Sequence, residues 1–265
     1  MSEPTAADLF RAGDLTGAIA AAQAAVRKAP SDLDMRILLA EFLVFSGNLE
    51  RADVLLDAAS TIEPTTAIVA AEFRQLIRGD MARRQLFRDG RVPELLSDPT
   101  EVQRLQLAAL VALRANDHAE AAKCAEAAEE ARPRVAGFHN DKPFDDLRDA
   151  DDLLAGNWEV LTTTGKYFWI PTERIISAEF HPPKRPRDLI WRRVSMSVSE
   201  GPDGEVYVPA IYAGSDPTSD LLRLGRETDW TDPEAGPVRG VGQRVFLLGD
   251  DDVAIMDIGT LRFGA

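Results

Sequence analysis

LFRAGDLTGAIAAAQAAVRKAP (residues 9–30) and LVFSGNLERADVLLDAASTIEP (residues 43–64), set side by side, decide the front half of this chain. Leu9 falls on Leu43, Gly13 on Gly47, Leu15 on Leu49, Ala18 on Ala52, Ala25 on Ala59 and Pro30 on Pro64, every offset being 34. A third copy, VALRANDHAEAAKCAEAAEEARP (residues 111–133), has Asn116 in the glycine place, Ala121 in the small-residue place and Pro133 at its end. Glycine has no Cβ to clash at positive φ, and asparagine is the next most tolerant residue there, so these positions predict a tight turn between two helices. The small residues allow the two helices to approach, and each proline ends the second helix because it lacks an N–H.

A 34-residue period of helix pairs is that of tetratricopeptide arrays. Such pairs cannot bury their apolar faces alone, so they stack, and the stack forms a concave surface that commonly cradles a peptide or helix. The spacing predicts a TPR-like helical repeat domain over residues 1–135, with an ordinary alanine-rich bundle as the alternative. The second and third copies lie two periods apart, which predicts a degenerate unit between them. In that stretch Ile68, Phe73, Leu76 and Ile77 recur at helical spacing, and Arg83, Arg84 and Arg88 read as a solvated basic face.

Beyond residue 135 the composition changes. FDDLRDADDLL (residues 144–154) predicts a short acidic linker helix over 136–157, its aspartates solvated; the spacing lacks the glycine and glutamate of a calcium loop. All four tryptophans and all three tyrosines lie after residue 157. WEVLTTT, KYFWIP, IISAEF, WRRVSMSV, EVYVPAIY, RVFLLGD and VAIMDI read as short strands, with a turn at Gly201-Pro202-Asp203-Gly204. Many short strands without helical crossovers predict a compact, small barrel-like β-rich domain over 158–265. The fold class is therefore multidomain α+β.

The chain has 265 residues and a formal net charge of −14, which disfavours nucleic acid and anionic membrane surfaces as partners. Its single cysteine, Cys124, rules out an internal disulfide and reads as a packed small residue of a reducing compartment. The N-terminus reads as lacking a signal peptide, and no window approaches the roughly 18 apolar residues of a membrane helix, so a cytoplasmic location is expected. The three histidines are scattered, and no nucleophile elbow or phosphate-binding loop is present. Gly240-Val241-Gly242 lacks the third glycine of a dinucleotide fingerprint and reads as a turn. No catalytic residue, metal or cofactor is expected.

Two clusters stand out. HPPKRPRDLIWRR (residues 181–193) concentrates positive charge on an acidic protein, either as an anchor for an acidic partner segment or as an internal salt-bridge hub. LLRLGRETDW (residues 221–230) either frames a pocket for a small ligand with Arg223, Arg226, Asp229 and Trp230 or packs internally around a buried Arg–Asp pair. Arginine and the large aromatics dominate interface hot spots, which makes Tyr167, Trp169, Arg187, Trp191, Arg223, Arg226 and Trp230 the candidate partner contacts, on an exposed surface near the seam between the domains.

In order along the chain, FDDLRDADDLLAGNWEVL, GKYFWIPTERIISAEF, PRDLIWRRVSMSV, GEVYVPAIYAGS, LRLGRETDW and GQRVFLLGDDDVAIMDIG make the back half resemble the ImpE family, also called TagJ. The resemblance covers nearly the whole chain. It implies an accessory adaptor of bacterial type VI secretion. The implied partner is the N-terminal helix of the small sheath subunit, TssB, with an indirect connection to the ClpV unfoldase in sheath assembly or recycling. It carries over no catalytic residue and no cofactor.

Overall fold

The computed structural model describes residues 3–62, 67–215, 219–232, 234 and 236–264. Seven helices come first: α1 (Ala6–Ala12), α2 (Leu15–Lys28), α3 (Leu33–Phe45), α4 (Leu49–Ile62), α5 (Ala67–Asp89), α6 (Glu101–Arg114) and α7 (His118–Ala131). Side chains of Thr5, Asp14, Asp32, Thr100 and Asp117 cap helix N-termini by accepting otherwise unmet backbone N–H groups. The three predicted hairpins are present as α1–α2, α3–α4 and α6–α7, and their turn residues Gly13, Gly47 and Asn116 have φ of 90°, 78° and 59°. Pro30 and Pro133 follow the ends of α2 and α7; Pro64 lies outside the described residues.

The stretch between the second and third copies is not a further helix pair. It is one 23-residue helix, α5, followed by a non-helical run. Gly90 at φ 80° ends the helix, and Pro93 obstructs its resumption. Glu94 then hydrogen-bonds through its backbone to Tyr167 and Trp169 at 2.9 and 3.1 Å, so the chain spends its polar groups on a strand of the back half.

The acidic linker helix is also absent. Residues 136–157 instead form β1 (Gly137–His139), β2 (Lys142–Phe144), β3 (Leu147–Asp149) and a run of turns. Asp149 Oδ1 accepts the N–H of Asp151, and Asp151 Oδ1 accepts that of Leu153, each at 2.9 Å. Aspartates that bond the backbone two residues on favour turns over helix, which is why the apolar spacing misleads here.

The remaining elements are β4 (Asn157–Leu161), β5 (Tyr167–Pro171), β6 (Ile175–Phe180), β7 (Trp191–Val198), β8 (Gly204–Pro209), α8 (Asp220–Arg223), β9 (Thr228–Trp230), β10 (Gly240–Gly242), β11 (Val245–Leu248), β12 (Asp251–Ala254) and β13 (Thr260–Phe263). Gly240–Gly242 is thus a strand and not a turn. The β-rich region is an eight-stranded antiparallel sheet in the order β2-β1-β13-β6-β7-β8-β4-β5, with β2 and β5 at its edges, joined by a β12-β11-β3 sheet and a β10-β9 pair.

Two apolar cores result. One lies within the sheets, around Trp158, Val194, Phe246 and Leu261. The other runs without a break from Phe10, Phe42 and Leu56 in the helices to Leu161, Trp169, Trp191 and Ile211 in the back half. The repeats and the sheet therefore share a core, and their seam is an interior.

Candidate functional site: the seam cleft

The seam opens to the surface as a cleft of about 350 Å³. The end of α3 contributes Val44 and Phe45, and α5 contributes Asp80, Arg83, Arg84, Phe87 and Arg88. The chain just after β8 contributes Ile211 to Ser215, and Arg223 and Arg239 close the far side. The lining is thus an apolar floor with arginines on its walls. An amphipathic helix or a peptide with apolar anchors and acidic flanks complements such a surface.

Beneath the floor lies a network of buried charge. Arg83, 6% exposed, forks its guanidinium onto Glu159 of β4 at 2.8 and 2.9 Å and also donates to the Ile211 carbonyl at 3.0 Å. Arg244 donates to the same Glu159 carboxylate, at the Oε2 that Arg83 also holds. Burial alone would raise Glu159, but the two guanidiniums hold its carboxyl down to about 2. Tyr167 donates to Glu159 at 2.6 Å and accepts from the Trp169 indole at 2.7 Å. Asp149 shares Arg244 at 3.3 Å and accepts from Tyr212 at 2.8 Å, yet burial pushes its carboxyl up to about 7. One guanidinium serves two carboxylates here, and Glu159, which also holds Arg83, keeps the charge. The α5 arginines are therefore not a uniformly solvated face: Arg83 is an interior ion, while the Arg88 side chain remains 72% exposed.

The seven expected contact residues divide sharply. Tyr167, Trp169 and Trp191 are buried at 2%, 0% and 1% exposure and present no outer surface. Trp191 meets Phe73 of α5 edge-on at 6.0 Å, inside the seam. Arg187 lies half-buried with its guanidinium over the Phe73 ring at 5.0 Å, a cation–π contact inside the protein and not the ion pair of a salt-bridge hub. Arg226 donates to the carbonyls of Phe10 and Arg11 at 2.6 and 2.9 Å, so it closes the end of α1 instead of framing a pocket. Asp220 does the matching task at the next helix, accepting the N–H of Leu15 at 3.0 Å. Trp230 is 39% exposed, with its ring tilted against Tyr212 at 6.0 Å. Of the seven, Arg223 lines the cleft. The exposed Trp–Arg surface expected from composition is thus mostly interior, because large aromatics bury where two apolar faces meet.

The cleft walls that sequence reasoning missed, Phe45, Phe87, Ile211 and Arg239, come from four separate stretches. Arg83, Arg84 and Arg88 were visible as a basic run, but nothing in their spacing told which one turns inward. On the outer sheet face, Ser195 Oγ sits 2.8 Å from His181 Nε2 and bonds Glu205, which itself lies 3.5 Å from the same ring nitrogen. Acid and hydroxyl share one nitrogen, so this is not the relay in which an acid orients a histidine through its other nitrogen. Among the described residues no cluster of three or more His, Cys, Asp or Glu has the geometry to hold a metal ion. No described helix is long and apolar enough to cross a membrane.

Comparison with known proteins agrees on both halves. A model of the ImpE protein family matches residues 141–262, and a tetratricopeptide repeat model matches residues 9–72. The chain is 33% identical over 260 residues to a type VI secretion system accessory component, TagJ, of Pseudomonas aeruginosa, covering 97% of this chain and 90% of that protein. The crystal structure of protein VPA1032 from Vibrio parahaemolyticus superimposes with a TM-score of 0.93 at 27% identity, over 98% of this chain and 97% of that one.

Proposed function

The chain belongs to the ImpE family, and from that premise we propose that it is an accessory adaptor of bacterial type VI secretion, working in the cytoplasm by holding another protein and not by making or breaking bonds. Its partner on this reading is the N-terminal helix of the small sheath subunit TssB, through which the chain modulates sheath assembly or recycling, with the ClpV unfoldase connected only indirectly. The observation that carries the reading is the seam cleft, whose apolar floor and arginine walls suit a helix-in-groove contact. Arg223 and Arg88 are the proposed rim contacts. Tyr167, Trp169 and Trp191 hold the floor in place from below.

Calorimetric titration of the full chain with a peptide of the cognate TssB N-terminus tests this. Saturable binding that Arg88→Glu weakens about tenfold is the expected result, since a rim charge is reversed without touching the core. Absence of heat up to high micromolar peptide would remove the TssB reading. Binding unchanged by Arg88→Glu would move the helix away from this cleft.

A further inference from the structure

A second recess, of about 310 Å³, lies where α1 and α3 meet the turn at residues 183–189. Its apolar surface is Ala7, Leu38 and Leu189, laid over the stacked pair Phe10 and Phe42, whose ring centroids are 4.9 Å apart and which are 8% and 0% exposed. Three of its lining residues are cationic, Arg11, Lys184 and Arg185, and none is acidic. That is the reverse of a chain whose formal net charge is −14.

The cations are presented by a rigid device. Asp188 Oδ2 accepts the backbone N–H groups of Lys184 at 2.8 Å and Arg185 at 3.0 Å, which pins the turn that carries both. Pro183 and Pro186 restrict the backbone on either side. Arg185 is further anchored by Glu41 of α3, whose buried carboxylate lies 3.2 Å from its Nε. Lys184 is exposed and makes no ion pair among the described residues. Arg11 pairs with Asp8 at the surface, at 2.9 Å, a contact that competes weakly with a ligand.

A preformed apolar surface beside fixed cations fits one kind of partner. We infer that this recess docks an acidic segment of a partner protein, one bulky apolar side chain seated on Ala7, Leu38 and Leu189 while flanking carboxylates meet Lys184 and Arg185. The inference is independent of the TssB reading, because none of its residues lines the seam cleft.

The probe is a fluorescein-labelled, end-capped peptide, Glu-Asp-Leu-Phe-Glu-Asp-Glu, titrated with the full chain at low salt and read by anisotropy. The expected result is saturation with a dissociation constant below about 1 mM. Lys184→Glu, at an exposed position, should weaken it about tenfold, since it swaps attraction for repulsion. Ala7→Trp, which fills the recess from α1, should weaken it to a similar degree. The analogue with Gln and Asn in place of the acids should not saturate. The inference is overturned by no saturation up to about 1 mM peptide, by equal binding of the neutral analogue, or by a Lys184→Glu chain that folds by circular dichroism and binds as before. Lys184→Glu decides the matter alone if Ala7→Trp fails to fold. The Arg88→Glu titration reads the seam cleft separately, so either proposal can fail without the other.

Discussion

The helix pairs of the front half meet through Ala18, Ala22, Ala52 and Leu56, all fully buried and all apolar. The joint between helices and sheet adds to its apolar contact a buried ionisable network, Arg83 of α5 with Glu159, Arg244 and Asp149 of the back half. Apolar contact rewards any close approach, so the hairpins need only small residues at the right spacing. A buried ion rewards one arrangement of partners and penalises every other. The first interface makes the repeats stack. The second dictates how the sheet must sit on the stack, and with it the shape of the cleft.

The largest test of that contrast is Glu159→Ala. It leaves Arg83 and Arg244 buried without their shared carboxylate and should cost about 3–5 kcal/mol in urea denaturation. A loss under about 1 kcal/mol would mean that the network is dispensable and that the seam is held by apolar contact alone. On the hairpin side, Ala52→Leu forces extra volume between α4 and its neighbours and should cost about 1–3 kcal/mol.

Titration separates the two interfaces further, since Ala18, Ala22, Ala52 and Leu56 carry no ionisable group. Asp149 has an ordinary value of 3.8 and a folded value of about 7. The folded state therefore favours its protonated form, a contribution complete below about pH 4 and lost as pH rises through about 7. Glu41, raised from 4.5 to about 7 by burial that outweighs the opposing pull of Arg185 and Arg187, adds a loss of the same sign. Glu159 runs the other way: its contribution is present above about pH 4.5 and lost as pH falls toward 2. Stability measured by denaturant midpoint should decline from pH 5 to pH 8, and Asp149→Asn should flatten part of that decline. A profile identical to the parent would show that Asp149 is charged in the folded chain.

The smallest expected effect is at a hairpin turn. Asn116→Val places a β-branched residue at φ 59° and should cost about 1–2 kcal/mol, whereas Asn116→Gly should stay within about 0.5 kcal/mol. If valine were neutral, the turn would not depend on the left-handed conformation that the repeat spacing implies.

Much of this molecule was legible before any coordinates. Seven strand segments were visible from aromatic and β-branched alternation; six coincide with β4, β5, β6, β7, β8 and β11, while VAIMDI takes in only the last two residues of β12 before a 3-10 turn over Ile255–Asp257. The strand β3 was missed because Asp149 and Asp151 bond the backbone two residues on where a helical apolar pattern overlies them, and β1, β2, β9, β10 and β13 because each is only three or four residues long. The site was less legible. Trp169 and Trp191 looked like surface anchors, since composition does not reveal which side of a strand faces a neighbouring helix.

The sequence by itself determined the helix pairs, their glycine and asparagine turns, the longer strands and the family, because these depend on spacing within one short stretch or on motifs in order. Only the tertiary structure decided which arginine of α5 is an interior ion, which tryptophans are core and where a cleft opens. Those outcomes depend on contacts such as Arg83 to Glu159 and Arg226 to Phe10, between residues 76 and 216 positions apart. No local pattern encodes a partner at such a distance, since the energy of a buried charge is set by what surrounds it after folding.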